Sequence, residues 1–472
     1  MSEEEKTAGQ KRAEELCLKP KTVYEGLSEE IREAALKFCV PYAEFLNRAK
    51  TEREAVKEGI RLAEDRGFRP YRMGQSVQPG EKYYYSNRGK SLHVFVIGSE
   101  PLENGIRISA AHIDSPRLDL KQHPVYEESG FCYLKTHYYG GIRKYQWLTI
   151  PLALHGTVCR RDGSMVDICI GEEESDPLFY ITDLLPHLAR ELDAKAMGKA
   201  VDPENLNALV CATPFDDEKV SDKVKLQFLS LMNEKYGLTE ADLISAELCL
   251  VPAVKARDIG IDRTLLASYG HDDRVCAYPM LQALMDCENP VHTIYAIFAD
   301  KEETGSDGPT GMKSDILPDM IEELSRALGA DSCVVRSRSK CLSADVNAAF
   351  DPAFASVYDT KNASYVNRGV VVTKFTGHGG KYSTNDASAE YVGYIHNLLW
   401  NNGILFQTGE LGKIEAGGGG TVAMHISGHN IDTVDIGVPV LSMHAPYEVV
   451  SKFDVYETYR CCLAFNSDAA EQ

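Results

Sequence analysis

The sequence predicts an α/β protein in which a mixed, mainly parallel sheet is covered by helices and interrupted by an inserted β-rich segment. Three observations lead there. After residue 252, apolar runs of strand length alternate with stretches of helical periodicity, the pattern of parallel strands covered on both faces. Over residues 120–252 the character changes to many short apolar pieces divided by Gly, Asp and Pro, such as YYGGIRKYQW and LALHGTV. The chain has 472 residues and a hydrophobic content of 44%, enough for two or three domains with sizeable cores. The expected division is a first part over 1–119, an insertion over 120–252 and a second part over 253–472.

In chain order, residues 29–66 are helical in pattern, with Ile31, Ala35, Phe38 and Tyr42 recurring at three- to four-residue spacing. LHVFVI at 92–97 and IRISAAH at 106–112 read as strands. Within the insertion, residues 201–240 are rich in Asp, Glu, Lys and Asn and read as a solvated loop or helix. Strand and helix then alternate through IYAIFA, a helix over 315–328, CLSADV, GVVVTKF, a helix over 387–400, TVDIGVPVLSM and a final helix from about Glu448.

Fifty Lys and Arg against seventy Asp and Glu give a formal charge of −20. That balance argues against a general affinity for nucleic acid or anionic membrane, both of which reward clustered positive charge. The thirteen cysteines are scattered without a CxxC pair, so neither a zinc ribbon nor a disulfide framework is expected. The start, MSEEEKTAGQKRAEE, lacks an apolar signal segment, and no run approaches the ~20 apolar residues of a membrane span. A soluble cytoplasmic protein with reduced thiols is the expectation.

The informative feature is where imidazoles and carboxylates fall. His112 and Asp114 close IRISAAHIDS, Glu302 and Glu303 follow IYAIFA, Asp345 follows CLSA, His444 follows VPVLSM, and Asp272 with Asp273 sit in YGHDDRV. In open α/β sheets, ligands bind beyond the carboxyl ends of the strands, so one shared rim accounts for all five places. Two imidazoles with three or four carboxylates and no thiolate suit Zn²⁺, Co²⁺ or Mn²⁺, and two ions if a carboxylate bridges. The expected arrangement has Asp272 bridging, one ion on His112 and Asp345, and the other on Glu303 and His444. In His112-x-Asp114, extended geometry puts both side chains on one side, so Asp114 orients the imidazole. Adjacent side chains diverge, which frees Glu302 to act as general base on water while Glu303 binds metal.

Each residue also has an ordinary reading. A lone His after a strand is commonly a hydrogen-bonded structural group, acidic pairs are commonly solvated, Asp272 could cap the helix carrying Val275 and Leu281, and Asp351 competes with Asp345. Two glycine-rich stretches, GHGGKYSTND at 377–386 and EAGGGGT at 415–421, match neither a Walker loop nor GxGxxG. Tight turns entering helices and close approach to a peptide substrate are equal alternatives for them.

The motifs SAAHIDSPRLDLK, GHDDR, DKEETGSDG, SADV, GHGGKYSTND and DIGVPVLSMHAPYE, spread from Ser109 to about residue 450, resemble those of the M18 metallopeptidases, the aspartyl aminopeptidase family, in its bacterial-type members. The resemblance implies a zinc-peptidase-like catalytic domain interrupted by a dimerisation domain. It also implies two metal ions held by His112, Asp272, Glu303, Asp345 and His444, with Glu302 as base and Asp114 as the Asp of HxD. It implies a lysine near the acidic side chain of the substrate, matched to Lys374, a preference for N-terminal Asp or Glu on peptide substrates, and a dimer-based tetrahedral dodecamer. Two stretches depart from the family. An I-P-H-L stretch is replaced by Ile181-Thr182-Asp183-Leu184, with His187 downstream, and a charged stretch after the tryptophan becomes Trp147-Leu148-Thr149-Ile150-Pro151. Competing functions on the same residues are a dinuclear carboxypeptidase or deacylase, and an inactive assembly module.

Overall fold

The computed structural model describes residues 6–469. Its centre is a nine-stranded sheet in the order Arg69–Pro70, Lys82–Asn87, Ser91–Val96, Ile294–Ala299, Arg107–His112, Lys340–Ala344, Asp432–Gly437, Val370–Thr373 and Phe406–Thr408. The four strands in the middle, from Ile294–Ala299 to Asp432–Gly437, are mutually parallel; antiparallel pairings join Ser91–Val96 and Val370–Thr373 to them. Ile294–Ala299 and Arg107–His112 are buried along their whole length, which is why they read as continuous apolar runs.

Alternate residues of these strands face opposite layers. Ala111, Ala296, Phe298, Leu342 and Val434 pack with the helices Glu29–Arg48, Glu52–Asp65, His271–Asp286 and Lys452–Ser467. Ile108, Ala110, Tyr295 and Ile297 pack on the other face against Ile316–Leu328, through Leu317, Met320, Ile321 and Leu324. The helices expected over 315–328 and 387–400 are present as Ile316–Leu328 and Ala389–Asn401.

Three expectations need correction. The helix expected over 29–66 is two helices, because Thr51 starts the second one. Its hydroxyl accepts from the Glu54 amide at 3.3 Å while the Glu54 carboxylate accepts from the Thr51 amide at 2.9 Å, a reciprocal cap. TVDIGVPVLSM is not one strand. Asp432–Gly437 stays in the central sheet, and Pro439–Leu441, whose proline has no N–H to donate, joins a separate five-stranded sheet with Glu448–Ser451. Residues 201–240 contain a strand, Ala208–Cys211, besides the helix Lys223–Tyr236; that helix buries Val224, Phe228 and Met232 at four-residue spacing.

Six antiparallel strands drawn from between Arg117 and Pro252 form a second sheet with its own apolar core around Trp147, Leu154 and Leu250. The two long strands Arg117–Glu128 and Phe131–Tyr139 are continuous with the chain leaving His112, so this sheet stands at the mouth of the central one. No helix among the described residues is long and apolar enough to cross a membrane. All thirteen cysteines are unpaired.

Candidate metal centre

Parallel pairing creates the site. Ala299 lies opposite His112 in register, and Lys340–Ala344 flanks Arg107–His112 on its other side, so the chain segments that follow these three strands emerge together. Lys301 adopts a left-handed conformation, φ 66°, and the turn it makes delivers Glu302 and Glu303 over His112. Asp272 arrives from the start of His271–Asp286, and His444 from the loop after Pro439–Leu441.

The Asp272 carboxylate sits between two imidazoles, with His112 Nε2 at 3.1 Å from Oδ1 and His444 Nε2 at 3.1 Å from Oδ2. His444 Nε2 is also 3.5 Å from Glu303 Oε1, while His112 Nε2 is 3.9 Å from Asp345 Oδ1 and 4.0 Å from Glu302 Oε2. One candidate ligand atom each from His112, Asp272 and Glu303 lies within 4.8 Å of the others, and so does a set from His112, Asp273 and Asp345. The structure therefore brings together all five residues expected as ligands, with Glu302 beside them. Asp272 is itself non-helical, ψ 107°, and its carboxylate faces the two imidazoles. Asp351, the competitor to Asp345, instead caps a short turn through the Ala353 amide at 2.9 Å.

Electrostatics in the cluster are those of excess buried negative charge. Burial and neighbouring carboxylates push Glu302 up to about 7, and raise Glu303 and Asp345 well above the carboxylate range. Burial opposes charge on both imidazoles, yet hydrogen bonds to Asp114 and Asp272 raise His112, and the Asp272 and Glu303 carboxylates raise His444 to about 10. Glu303 Oε1 and Asp273 Oδ1 are buried without a hydrogen-bond partner. A buried set of nitrogen and oxygen donors with orphaned carboxylate oxygens fits a divalent cation of the zinc type, whose charge would offset that of the carboxylates.

Around the cluster a ring of hydrogen bonds sets the geometry. His112 Nδ1 is 3.0 Å from the Asp114 carbonyl and 3.4 Å from its carboxylate, which leaves Nε2 turned to the cluster. The same Asp114 carboxylate accepts from the Glu302 amide at 3.1 Å, the Glu303 amide at 3.2 Å and the Tyr139 hydroxyl at 2.7 Å. One buried carboxylate thus holds both sides of the site.

The structure does not bring Lys374 to this cluster. Val370–Thr373 runs antiparallel to Asp432–Gly437, so the residue after it is carried away from the rim where Asp345 stands, and its ammonium pairs with Asp386 at 2.6 Å. The glycine-rich stretches pack on each other, Gly377 donating to the Gly419 carbonyl at 2.6 Å, which favours their reading as tight turns.

Comparison with known proteins gives the family. The family described as "Aminopeptidase I zinc metalloprotease (M18)" matches residues 45–466. The chain belongs to the M18 aminopeptidase family. A relative from Clostridium acetobutylicum, described as a probable M18 family aminopeptidase 1, is 44% identical over 432 residues, covering 90% of this chain and 93% of its own. Its counterpart from Thermotoga maritima is 42% identical, covering 89% and 94%. A crystal structure of an M18-family aminopeptidase from Thermotoga maritima superposes with a TM-score of 0.91 at 40% identity, covering 95% of this chain and 99% of the other. The chain is a peptide hydrolase of this family.

Sequence reasoning missed three contributors to the site of this M18 aminopeptidase. Glu448 accepts from the amides of His444 at 2.7 Å and Asp272 at 3.1 Å, tying the backbone at Asp272 to that at the last histidine. Its signal was a glutamate four residues past His444. Gly141 offers its carbonyl to His444 Nδ1 at 2.8 Å, and Tyr139 reaches Asp114; both come from the YYGG turn of the insertion. A Cβ on Gly140, at φ 71°, would lie 3.1 Å from Glu303 Oε2, and one on Gly141 3.2 Å from His444 Nδ1. The paired glycines are what let this turn lie against the metal-type residues.

Proposed function

We propose that the chain is a dinuclear metal-dependent aminopeptidase that removes the first residue of peptides, with a preference for Asp or Glu. The supporting observation is the Asp272 carboxylate placed between His112 and His444, with Asp345 on one side and Glu303 on the other. In this reading His112 and Asp345 would hold one ion, Glu303 and His444 a second, most simply zinc, and Asp272 would serve both. Bound there, the ions would supply Lewis acidity that lowers the pKa of water and stabilises a developing oxyanion.

Glu302 does the proton work. Its carboxylate lies 4.0 Å from His112 Nε2 and is not among the five residues that would hold the ions, so it is free to take up and release a proton beside them. It takes the proton from the attacking water and delivers it to the leaving amine. Asp114 keeps the Glu302 and Glu303 amides in register throughout, so base and ligand do not drift apart. The acidic preference rests on family resemblance, since Lys374 is engaged with Asp386.

Exposed Leu178, Tyr180, Leu184, Leu185, Leu188 and Met197 on the insertion support self-association through it. A solved relative of the same fold, from Saccharomyces cerevisiae, is described as a dodecamer, and a dimer-based dodecamer is the proposed assembly here. The unpaired cysteines are consistent with a reducing, cytoplasmic setting.

The test is release of the first residue from a panel of dipeptides, free and amino-blocked, by wild type and Glu302→Gln. Wild type should cleave free peptides only, acidic ones fastest, and the variant should lose ~10²- to 10⁴-fold in kcat with its metal content unchanged. Cleavage of blocked peptides would point to a deacylase, and near-normal turnover by Glu302→Gln would remove the base from the scheme.

A further inference from the structure

A second group of metal-type side chains lies away from the catalytic cluster, where the insertion meets the first part of the chain. His155 and Cys169 are direct cross-strand partners in the antiparallel pair Leu152–Cys159 and Met165–Ile170, so their side chains share one face of the hairpin. The first turn of helix Glu52–Asp65 brings Glu54 to the His155 side chain. One ligand atom from each of Glu54, His155 and Cys169 lies within 4.8 Å of the others.

The arrangement is built rather than incidental. The His155 ring is buried, with Nδ1 2.8 Å from Glu54 Oε1 and Nε2 3.2 Å from Glu172 Oε1. Glu54 is held by its other oxygen, which accepts from the amides of Thr51 at 2.9 Å and Lys50 at 3.1 Å. Glu172 is balanced by Lys255 at 2.6 Å, so it can receive the second ring N–H and fix the tautomer without carrying unpaired charge. Cys169 is exposed, which gives an ion an entry path.

We propose that Cys169, His155 and Glu54 form a further divalent-ion site, selective for zinc-type ions, that fastens the insertion to the catalytic part. Thiolate, imidazole and carboxylate together are a donor set that borderline cations prefer over Mg²⁺ or Ca²⁺. The ion displaces the thiol proton and the proton shared by His155 and Glu54, and Glu172 orients the ring from behind. Because its ligands come from a helix before the insertion and a hairpin within it, the site acts as a staple between the two.

The catalytic cluster contains no sulfur, so a thiolate-to-cobalt charge-transfer band in the near ultraviolet reports only on a cysteine-containing site. Metal-stripped full-length protein is titrated with Co²⁺ and compared with Cys169→Ser and His155→Gln. Wild type should develop the band and saturate it at one equivalent per subunit. Both variants should lose it together with one bound equivalent, and Cys169→Ser should keep its turnover of peptides. No band in wild type, or an undiminished band in Cys169→Ser, overturns the proposal. Failure of the dinuclear reading would alter the sulfur-free equivalents and not this band, so the two are tested separately.

Discussion

Asp114 shows how one residue organises the site. Its carboxylate faces His112 on one side and accepts three hydrogen bonds on the other, from two amides and the Tyr139 hydroxyl. Tyr139→Phe removes the shortest of these and leaves ring packing on Arg117 in place. Partners that orient metal ligands typically contribute 10- to 100-fold in metal affinity, so ion affinity measured by chelator competition should fall by about that factor. Unchanged affinity would mean that the two amides suffice. The proposed ligands were legible in the sequence because His112, Glu303, Asp345 and His444 stand at or shortly after the ends of apolar runs, whereas Asp272 stood out only through its acidic pair in YGHDDRV. Tyr139, Gly141 and Glu448 were not, because they act through backbone groups and single hydrogen bonds that depend on which distant turns meet. Lys374 lies apart from the cluster because a motif fixes residue type and not strand direction, and its strand runs antiparallel to its neighbour.

At the scale of elements, periodicity identified the helices and the buried strands but not where one helix gives way to the next. The break at Thr51 carries a local signal, threonine followed three residues later by glutamate, that helical periodicity on both sides conceals. Removing that cap with Thr51→Ala should cost about 1 kcal/mol, read as a lower midpoint in urea unfolding. An unchanged midpoint would show that the Glu54 carboxylate alone secures the turn. The strand Ala208–Cys211 escaped notice because it pairs only at the edge of the insertion's sheet, and neighbouring polar residues mask a four-residue run. Pro439 is the clearest case of a residue that divides one apolar stretch between two sheets.

For the whole molecule, the burial that builds the core also makes its stability depend on pH. His93 is buried in the central sheet with Nε2 unpartnered, and burial pushes its pKa down to about 4. The unfolded chain takes up a proton near 6.5 while the folded one does not, so this contribution to stability is present above pH 6.5 and is lost as pH falls towards 4, at about 1.4 kcal/mol per unit. Unfolding midpoints compared between pH 7 and pH 5 should therefore drop more steeply in wild type than in His93→Leu, and equal slopes would assign the acid sensitivity elsewhere. The same architecture unites distant parts of the chain at one rim, where carboxylates that repel each other are held in place by the folding of everything around them. Anomalous diffraction from crystals grown with zinc tests that arrangement most directly. Two peaks flanking the Asp272 carboxylate, one reached by His112 and Asp345 and the other by Glu303 and His444, are predicted; a single peak, or peaks elsewhere, would contradict it.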